Sequence, residues 1–513
     1  MFMHIISFIM VARVLSVAPI GFEGALVEVE TDAKKGLPSI QIVGMGTKSV
    51  DEAKERVRSA ISNSLLEFPT KKIIINLAPA ELVKDGAHFD LPIALAILVS
   101  SGQLRQSEVD NAVFAGELAL DGSLRPIKGT INIAEAAYNA GYKQLFVPIG
   151  NAEQALLIEG LTVVGVSSLK ELYLHLKKEA LIEPTHATIE TITPKSPKGP
   201  LLDDVYGQEQ AKRALVIAVA GRHNILLTGP PGAGKTMLAK TLTAIMPDLT
   251  AQERIATTKL HSIAGEIDGE IIAHRPFRAP HHTTSQIAIV GGGTRPKPGE
   301  ISLSHLGVLF LDEIPEYPRS VLEALRQPLE DKRIAVTRAG GRVVYPADFM
   351  LVATMNPCPC GHLGDATKEC TCTTLQILGY QKRLSGPLLD RIDLTIGVSR
   401  VPNDLLLEQK TKNNSQHITA VASIHKARLA QEKRYKSSTI YNGSLTSNQV
   451  HSLLNVTADA KALLNTAGER LGLSARSYFK VIKVAQTIAD IEGSATVEKA
   501  HIAEALQYRQ QTS

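Results

Sequence analysis

The chain has 513 residues, 44% of them hydrophobic and 21% charged, an ordinary soluble composition with material for two to four domains. Its formal net charge is only +4, so nucleic-acid contacts would have to come from local basic patches rather than from the molecule as a whole. The absence of tryptophan and an aromatic share of 4% argue against base stacking along a single strand, and four cysteines confined to 358–372 argue against a secreted disulfide scaffold.

The start, MFMHIISFIMVARVLSVA, is apolar enough to imitate a signal peptide. It lacks a basic leader, carries Arg13 inside the run, and passes into the alternating Ala25-Leu26-Val27-Glu28-Val29-Glu30. The expectation is a folded or frayed N-terminus starting near Met10, no membrane partner, and a cytoplasmic protein. Strand-like runs at 40–43, 73–77 and 144–147 alternate with helical patterns at 50–65 and from 90 to 98, which predicts a mixed α/β domain over 1–180.

Within it, Asn76-Leu77-Ala78-Pro79-Ala80, running on to Lys84-Asp85-Gly86-Ala87-His88-Phe89-Asp90-Leu91-Pro92, resembles the nucleophile region of Lon-type proteases. Gly116-Glu117-Leu118-Ala119-Leu120-Asp121-Gly122-Ser123-Leu124-Arg125-Pro126 resembles the following segment, so the resemblance implies a Lon-like α/β fold. The chemistry does not follow. His88 stands where the serine belongs, and Ile131 where the lysine base belongs, while a Ser–Lys dyad needs both a hydroxyl and an amine. Lys84 and Lys128 have no nucleophile to activate, so this domain reads as a fold retained for assembly or binding. Residues 181–200, rich in Pro, Thr and Lys with no apolar period, read as a linker.

An apolar helix at 211–220, whose small residues would border an adenine ring, leads to the most informative stretch. Gly229-Pro230-Pro231-Gly232-Ala233-Gly234-Lys235-Thr236 fits G-x-x-x-x-G-K-[ST] without a gap. A buried strand at 224–228 enters it, and Leu238, Leu242 and Ile245 leave it at helical spacing. Backbone N–H groups of such a loop converge on a polyphosphate at a helix start. Lys235 would reach the β- and γ-phosphates of ATP, and Thr236 would take one Mg²⁺ position.

The buried strand Val308-Leu309-Phe310-Leu311 ends in Asp312 and Glu313. Asp312 would complete the Mg²⁺ shell, and Glu313 would orient and deprotonate the attacking water. A strand at 349–354 ends in Met355-Asn356, which can reach the γ-phosphate from the neighbouring strand. The cysteines form two C-x-C pairs, Cys358/Cys360 and Cys370/Cys372, suggesting tetrahedral Zn²⁺ with His362 as a substitute ligand; free thiols stiffening a loop are the alternative. Arg391, with Arg383 as competitor, would stabilise charge on a γ-phosphate held by an adjacent subunit. The tail over 401–513 is helical. Ser474 caps a helix from 475 to about 490 that closes near Gly493, with Arg476 in its first turn, and Thr496 is expected to cap the last helix.

Loop, acid pair, polar strand end and arginine follow in the order of the AAA+ ATPases. Phe277-Arg278-Ala279-Pro280-His281-His282-Thr283, Gly291-Gly292-Gly293, Pro298-Gly299-Glu300-Ile301-Ser302-Leu303-Ser304-His305 and Asn356-Pro357-Cys358-Pro359-Cys360-Gly361 resemble the magnesium-chelatase-like branch. Within it the chain is most similar to the YifB/ComM group, over nearly its full length from about Met10. The resemblance implies a parallel-sheet P-loop core over 201–400, a helical lid over 401–513, Arg476 as the second sensor, and a homo-hexameric ring. It also implies a DNA helicase driving branch migration in recombination and natural transformation. Residues 413–419 depart from the family pattern. Two insertions, roughly 261–300 and a hairpin over 333–345 with a Gly340-Gly341 turn, offer Arg295, Lys297, Arg338 and Arg342 to a phosphate backbone. Two rivals stand beside this reading: a motor subunit for metal insertion into a porphyrin, and an ATP-dependent protease.

Overall fold

In the computed structural model, β1 (Ala12–Ile20) and β2 (Glu23–Lys34) pair antiparallel across the tight turn at Gly21, with burial alternating from Val27 to Thr31 and Ser16, Val17 and Ala18 all buried. The structure describes residues 11–44, 48–82, 84–186, 199–267, 269–293, 296–338, 341–365, 368–402 and 414–509. The expected frayed start before Met10, the Pro-Thr-Lys run over 187–198, the hairpin tip at Gly340 and residue Arg295 lie outside them, as does the side chain of Arg338. The chain divides into two units, Met1–Thr193 with Thr250–Ala273, and Pro194–Leu249 with His274–Ser513.

In the first unit, β1 and β2 are joined by β3 (Ser39–Val43), β4 (Lys72–Ala78), β5 (Ala112–Phe114), β6 (Gln144–Pro148) and β7 (Thr162–Val166) in the order β3-β4-β2-β1-β5-β6-β7. The helix Asp90–Ser100 is buried from Asp90 through Leu98, which accounts for its nearly unbroken apolar sequence. Asp90 is held by Arg56 of the helix Lys48–Asn63 through two hydrogen bonds of 2.7 and 3.0 Å.

The segment Thr250–Ala273, expected within the nucleotide-binding half, packs in this first unit instead. Thr250 caps its helix Ala251–Ala264. Ile255 packs against the core formed by Val17, Ile131 and Leu145, Lys259 pairs with Glu135, and the Ser262 hydroxyl accepts from the Gly129 N–H at 2.9 Å. The buried turns of this helix are mostly polar, Thr257, Thr258, Lys259, His261 and Ser262 beside Leu260, so hydrogen bonds and an ion pair fix its place together with the packing of Ile255.

In the second unit a five-stranded parallel sheet holds β8 (Ile225–Thr228), β9 (Phe277–Arg278), β10 (Val308–Leu311), β13 (Met350–Met355) and β14 (Leu394–Gly397) in the order β9-β10-β13-β8-β14. Between β10 and β13 the chain forms the antiparallel hairpin β11 (Arg333–Arg338) and β12 (Gly341–Pro346). The helical tail, expected as a separate lid, shares one apolar core with the sheet: Ile225, Leu227 and Leu394 pack in the same cluster as Ile424, Ile488 and Ile502. Ser474 caps the helix Ala475–Glu492 and Gly493, at φ 85°, ends it. Thr496 is not the cap of the last helix, Lys499–Gln507. Glu498 takes that place, its N–H donating to His501 Nδ1 at 2.9 Å. Among the described residues, no helix is long and apolar enough to cross a membrane.

Candidate nucleotide site

The carboxyl ends of β8, β10 and β13 converge, because parallel neighbours deliver their strand ends to one edge. The loop after β8 turns through Gly232 and Gly234, both left-handed at φ 75° and 85°, a conformation that glycine adopts without a Cβ penalty. The helix Lys235–Ile245 begins directly behind it. Lys235 is buried, and its ammonium donates to Gly229 O at 2.6 Å, Pro230 O at 2.9 Å and Asn356 Oδ1 at 3.0 Å. Burial lowers its pKa, opposed by the nearby Asp312 and Glu313.

The Thr236 hydroxyl donates to Asp312 Oδ2 at 3.0 Å. Buried Thr354, in β13, donates its hydroxyl to the other Asp312 oxygen and accepts the Glu313 N–H at 2.9 Å. One threonine thus fixes both acids. Sequence reasoning missed it, since a threonine inside an apolar strand carries no motif. Glu313 sits at φ 50°, a conformation that costs of order 1 kcal/mol for a side chain with a Cβ and turns the chain sharply after β10. Its carboxylate is exposed and lies 3.4 Å from Asn356 Nδ2. Lys235, Thr236, Asp312, Glu313, Asn356 and Thr354 therefore form one connected network.

Arg391 and Arg476 are not part of it. Both meet Glu330, on the helix Arg326–Asp331: Arg476 at 3.0 Å, and Arg391 through its other guanidinium nitrogen while it also donates to Pro387 O at 2.6 Å. The Arg391 backbone is tied to Asn224, whose Nδ2 donates to Arg391 O at 2.8 Å and whose Oδ1 accepts from Leu351 N at 2.8 Å. Asn224 precedes β8 while the phosphate loop follows it, so the length of that strand, on the order of 13 Å at about 3.3 Å per residue, separates Arg391 from its own loop. Here a cavity of about 390 Å³ is lined by Arg222, Lys332, Arg391, Arg476, Lys480 and Lys483, six cations against four carboxylates. Arg383 sits elsewhere, 3.0 Å from Glu316 just beyond Glu313.

The four cysteines come together. Cys358 Sγ lies 3.4 Å from Cys360 and 3.6 Å from Cys370, Cys360 lies 3.6 Å from Cys370, and all four sulfurs fall within 4.8 Å of one another. A tetrahedron of Zn–S bonds of about 2.3 Å has edges of about 3.8 Å, so the donor set fits a zinc-type ion. The Cys360 thiol is pulled down to about 5, first by the His362 backbone N–H. His362 turns away to Asp365, at 3.1 Å.

Lys297 and Arg342 are both exposed, on neighbouring pieces of chain: the Tyr345 hydroxyl in β12 donates to Pro296 O at 2.8 Å. Among the motif residues, Arg278 makes a bidentate pair with Glu300 at 2.6 and 2.8 Å, and Phe277 stacks on Phe310, which gives those residues a structural task. In the first unit, His88 and Ile131 are both buried, and Lys84 is turned to the carbonyl of Pro79.

A parallel sheet with a phosphate loop, an acid pair and a polar strand end is the site of a P-loop ATPase of the AAA+ class. Comparison with known proteins narrows the class. Residues 201–406 match the family model of magnesium chelatase, subunit ChlI; residues 29–151 match subunit ChlI of Mg-chelatase; and residues 412–509 match the ChlI C-terminal model. The chain is 42% identical to the competence protein ComM of Haemophilus influenzae over 501 residues, 97% of each chain. It is 40% identical to YifB of Escherichia coli over 499 residues, 96% of each. Lon protease 2 of Bacillus subtilis is 28% identical over 172 residues, 32% of this chain and 30% of that protein. The chain belongs to the YifB/ComM family of magnesium-chelatase-like ATPases.

Proposed function

We propose that this protein is a ring-forming, cytoplasmic DNA motor that uses ATP hydrolysis to drive branch migration in recombination and natural transformation. The observation that carries the reading is the near full-length similarity to a protein named for competence, joined to a complete nucleotide network. In this reading Lys235 and the loop N–H groups bind the phosphates. The Thr236 hydroxyl and the Asp312 carboxylate, an all-oxygen pair, hold Mg²⁺, which supplies charge neutralisation on the phosphate oxygens when bound. Glu313 orients the attacking water and accepts its proton, and Asn356 senses the γ-phosphate.

Arg391 acts on the nucleotide of the next subunit, which the strand-length separation from its own loop supports, and Arg476 is the second sensor. A ring follows from that division of labour, and the hexamer belongs to the same reading through the family resemblance. The helical tail acts as the lid although it shares the core of the sheet. The cysteine cluster holds one Zn²⁺. Lys297 and Arg342, both exposed, meet the DNA backbone, and Arg295 and Arg338 belong to the same reading.

The test is ATPase activity with and without single-stranded, duplex and branched DNA, together with native mass. Stimulation by branched DNA and a mass of several chains support the motor, and indifference to all three DNAs would sink it. Arg342→Ala should weaken DNA binding whatever its sequence and reduce the salt slope by about one. The matches to magnesium chelatase favour a second reading, a motor for metal insertion into a porphyrin. It would show as ATPase activity blind to DNA and raised by porphyrin-binding partner subunits.

A further inference from the structure

The cysteine cluster lies close to two parts of the nucleotide site, Asn356 and the phosphate loop. Cys358 follows Asn356 by two residues, and Asn356 bridges Lys235 at 3.0 Å and Glu313 at 3.4 Å. The peptide between them, Asn356-Pro357-Cys358-Pro359-Cys360, is stiffened by two prolines, and Pro357 O accepts from Gln381 Nε2 at 3.3 Å. Gly361, left-handed at φ 82°, brings its backbone so close to the phosphate loop that a Cβ there would sit 2.6 Å from Pro231 Cδ. Asp365, with its side chain almost wholly buried, lies 3.4 Å from Arg400, and Arg400 lines a second cavity with Gly207 and Gln208 beside the end of β14. Position, stiffness and packing all connect the thiols to the groups that handle the triphosphate.

We propose that the four-cysteine metal site is a positioning device for hydrolysis: a zinc ion on Cys358, Cys360, Cys370 and Cys372 holds Asn356 in register with Lys235 and Glu313. The inference rests on the zinc reading above and goes beyond it, because a zinc ion could equally staple a loop with no effect on turnover. Fastening Cys370 and Cys372 to Cys358 and Cys360 closes the loop that begins two residues after Asn356. With the metal removed, the Asn356 amide loses its fixed place, while the phosphate loop keeps its own glycine geometry. Nucleotide binding therefore survives and turnover falls.

The experiment uses the full chain in four forms: parent, Cys370→Ser with Cys372→Ser, Asn356→Ala, and the three substitutions combined. Zinc per chain is measured by mass spectrometry, nucleotide affinity with a fluorescent ATP analogue, and kcat in steady state. The parent should carry one zinc per chain. The double serine variant should carry none, bind nucleotide within about threefold of the parent, and lose at least about tenfold in kcat. Added to Asn356→Ala, the serines should cost less than about twofold more, since both act through one side chain. Stripping zinc from the parent with a chelator should reproduce the loss, and returning zinc should reverse it. Losses that multiply in the combined variant, or zinc-free protein that turns over at the parent rate, overturn the positioning role while leaving zinc binding intact. Parent protein without zinc overturns both readings. Loss of the circular dichroism spectrum on stripping would make the metal a general staple of the unit and overturn the specific role as well.

Discussion

The Arg476 guanidinium lies 3.0 Å from the Glu330 carboxylate, and Arg391 pairs with that same carboxylate from the other side. Two arginines from separate elements thus point at one acid, at the edge of the sheet away from their own phosphate loop. An exposed carboxylate is a replaceable partner, worth only about 1 kcal/mol to each arginine, whereas a triphosphate offers more charge. Arg391→Ala should therefore bind ATP about as well as the parent and hydrolyse it far more slowly. Mixed with Lys235→Ala, it should regain part of its turnover, as rings place an intact arginine beside an intact loop. Mixtures that only average the two parents would remove Arg391 from this role and turn attention to Arg383.

Lys235 and Glu313 belong to one network but should separate cleanly. Lys235→Ala removes the ammonium that meets Gly229, Pro230 and Asn356, and should abolish nucleotide binding. Glu313→Gln keeps the shape of an exposed side chain and should bind ATP while losing turnover. Equal hydrolysis by Glu313→Gln and parent would refute the assignment of the water-activating acid.

Thr354→Val tests the threonine between the acids. It is nearly isosteric, yet it leaves the Glu313 N–H without its acceptor and one Asp312 oxygen without its donor. The expected cost is about 1–3 kcal/mol of stability, by the desolvation penalty for an unpaired buried polar group. A higher Mg²⁺ concentration for half-maximal activity and a fall in kcat should accompany it. Unchanged Mg²⁺ titration would show that the Asp312 oxygens hold their place without it.

His88 gives the first unit a pH dependence. It is buried against Phe89, its Nε2 has no hydrogen-bond partner among the described residues, and burial pulls its pKa down to about 4. The unfolded chain takes up this proton near the ordinary value of about 6.5, so between about 6.5 and 4 the unfolded state binds more protons. The stability of that unit is thus full above pH 6.5 and declines as the pH falls toward 4, by about 3 kcal/mol at most for this group. His88→Leu should flatten that part of the melting-temperature profile. An unchanged slope would show that other groups set it.

The phosphate loop, the strands around it and the acid pair were legible because each carries its signal locally: a gapless motif, an apolar run, two carboxylates at its end. The Ser474 cap and the Gly493 stop were legible for the same reason. Thr354 and Glu330 were not, since their importance lies in what they touch across the fold, and neither a strand threonine nor an acid on a short helix stands out in sequence. The docking of Ala251–Ala264 was hidden for a related cause. An amphipathic pattern says that a helix has a partner but not which core supplies it. Thr496 and Glu498 illustrate the limit at element ends, where a histidine ring at His501 settled the start of the helix against the better side-chain cap.

Because Thr250–Ala273 is encoded inside the gene for one half yet folded into the other, neither half exists as an uninterrupted stretch of coding sequence. A fragment beginning at residue 201 would carry Ile255, Lys259 and Ser262 without the surface that receives them, and one ending at 193 would leave that surface bare. Truncation is therefore a poor route to isolated halves. For recombination between relatives the implication is similar: shuffling one half would import a helix made for another protein's core.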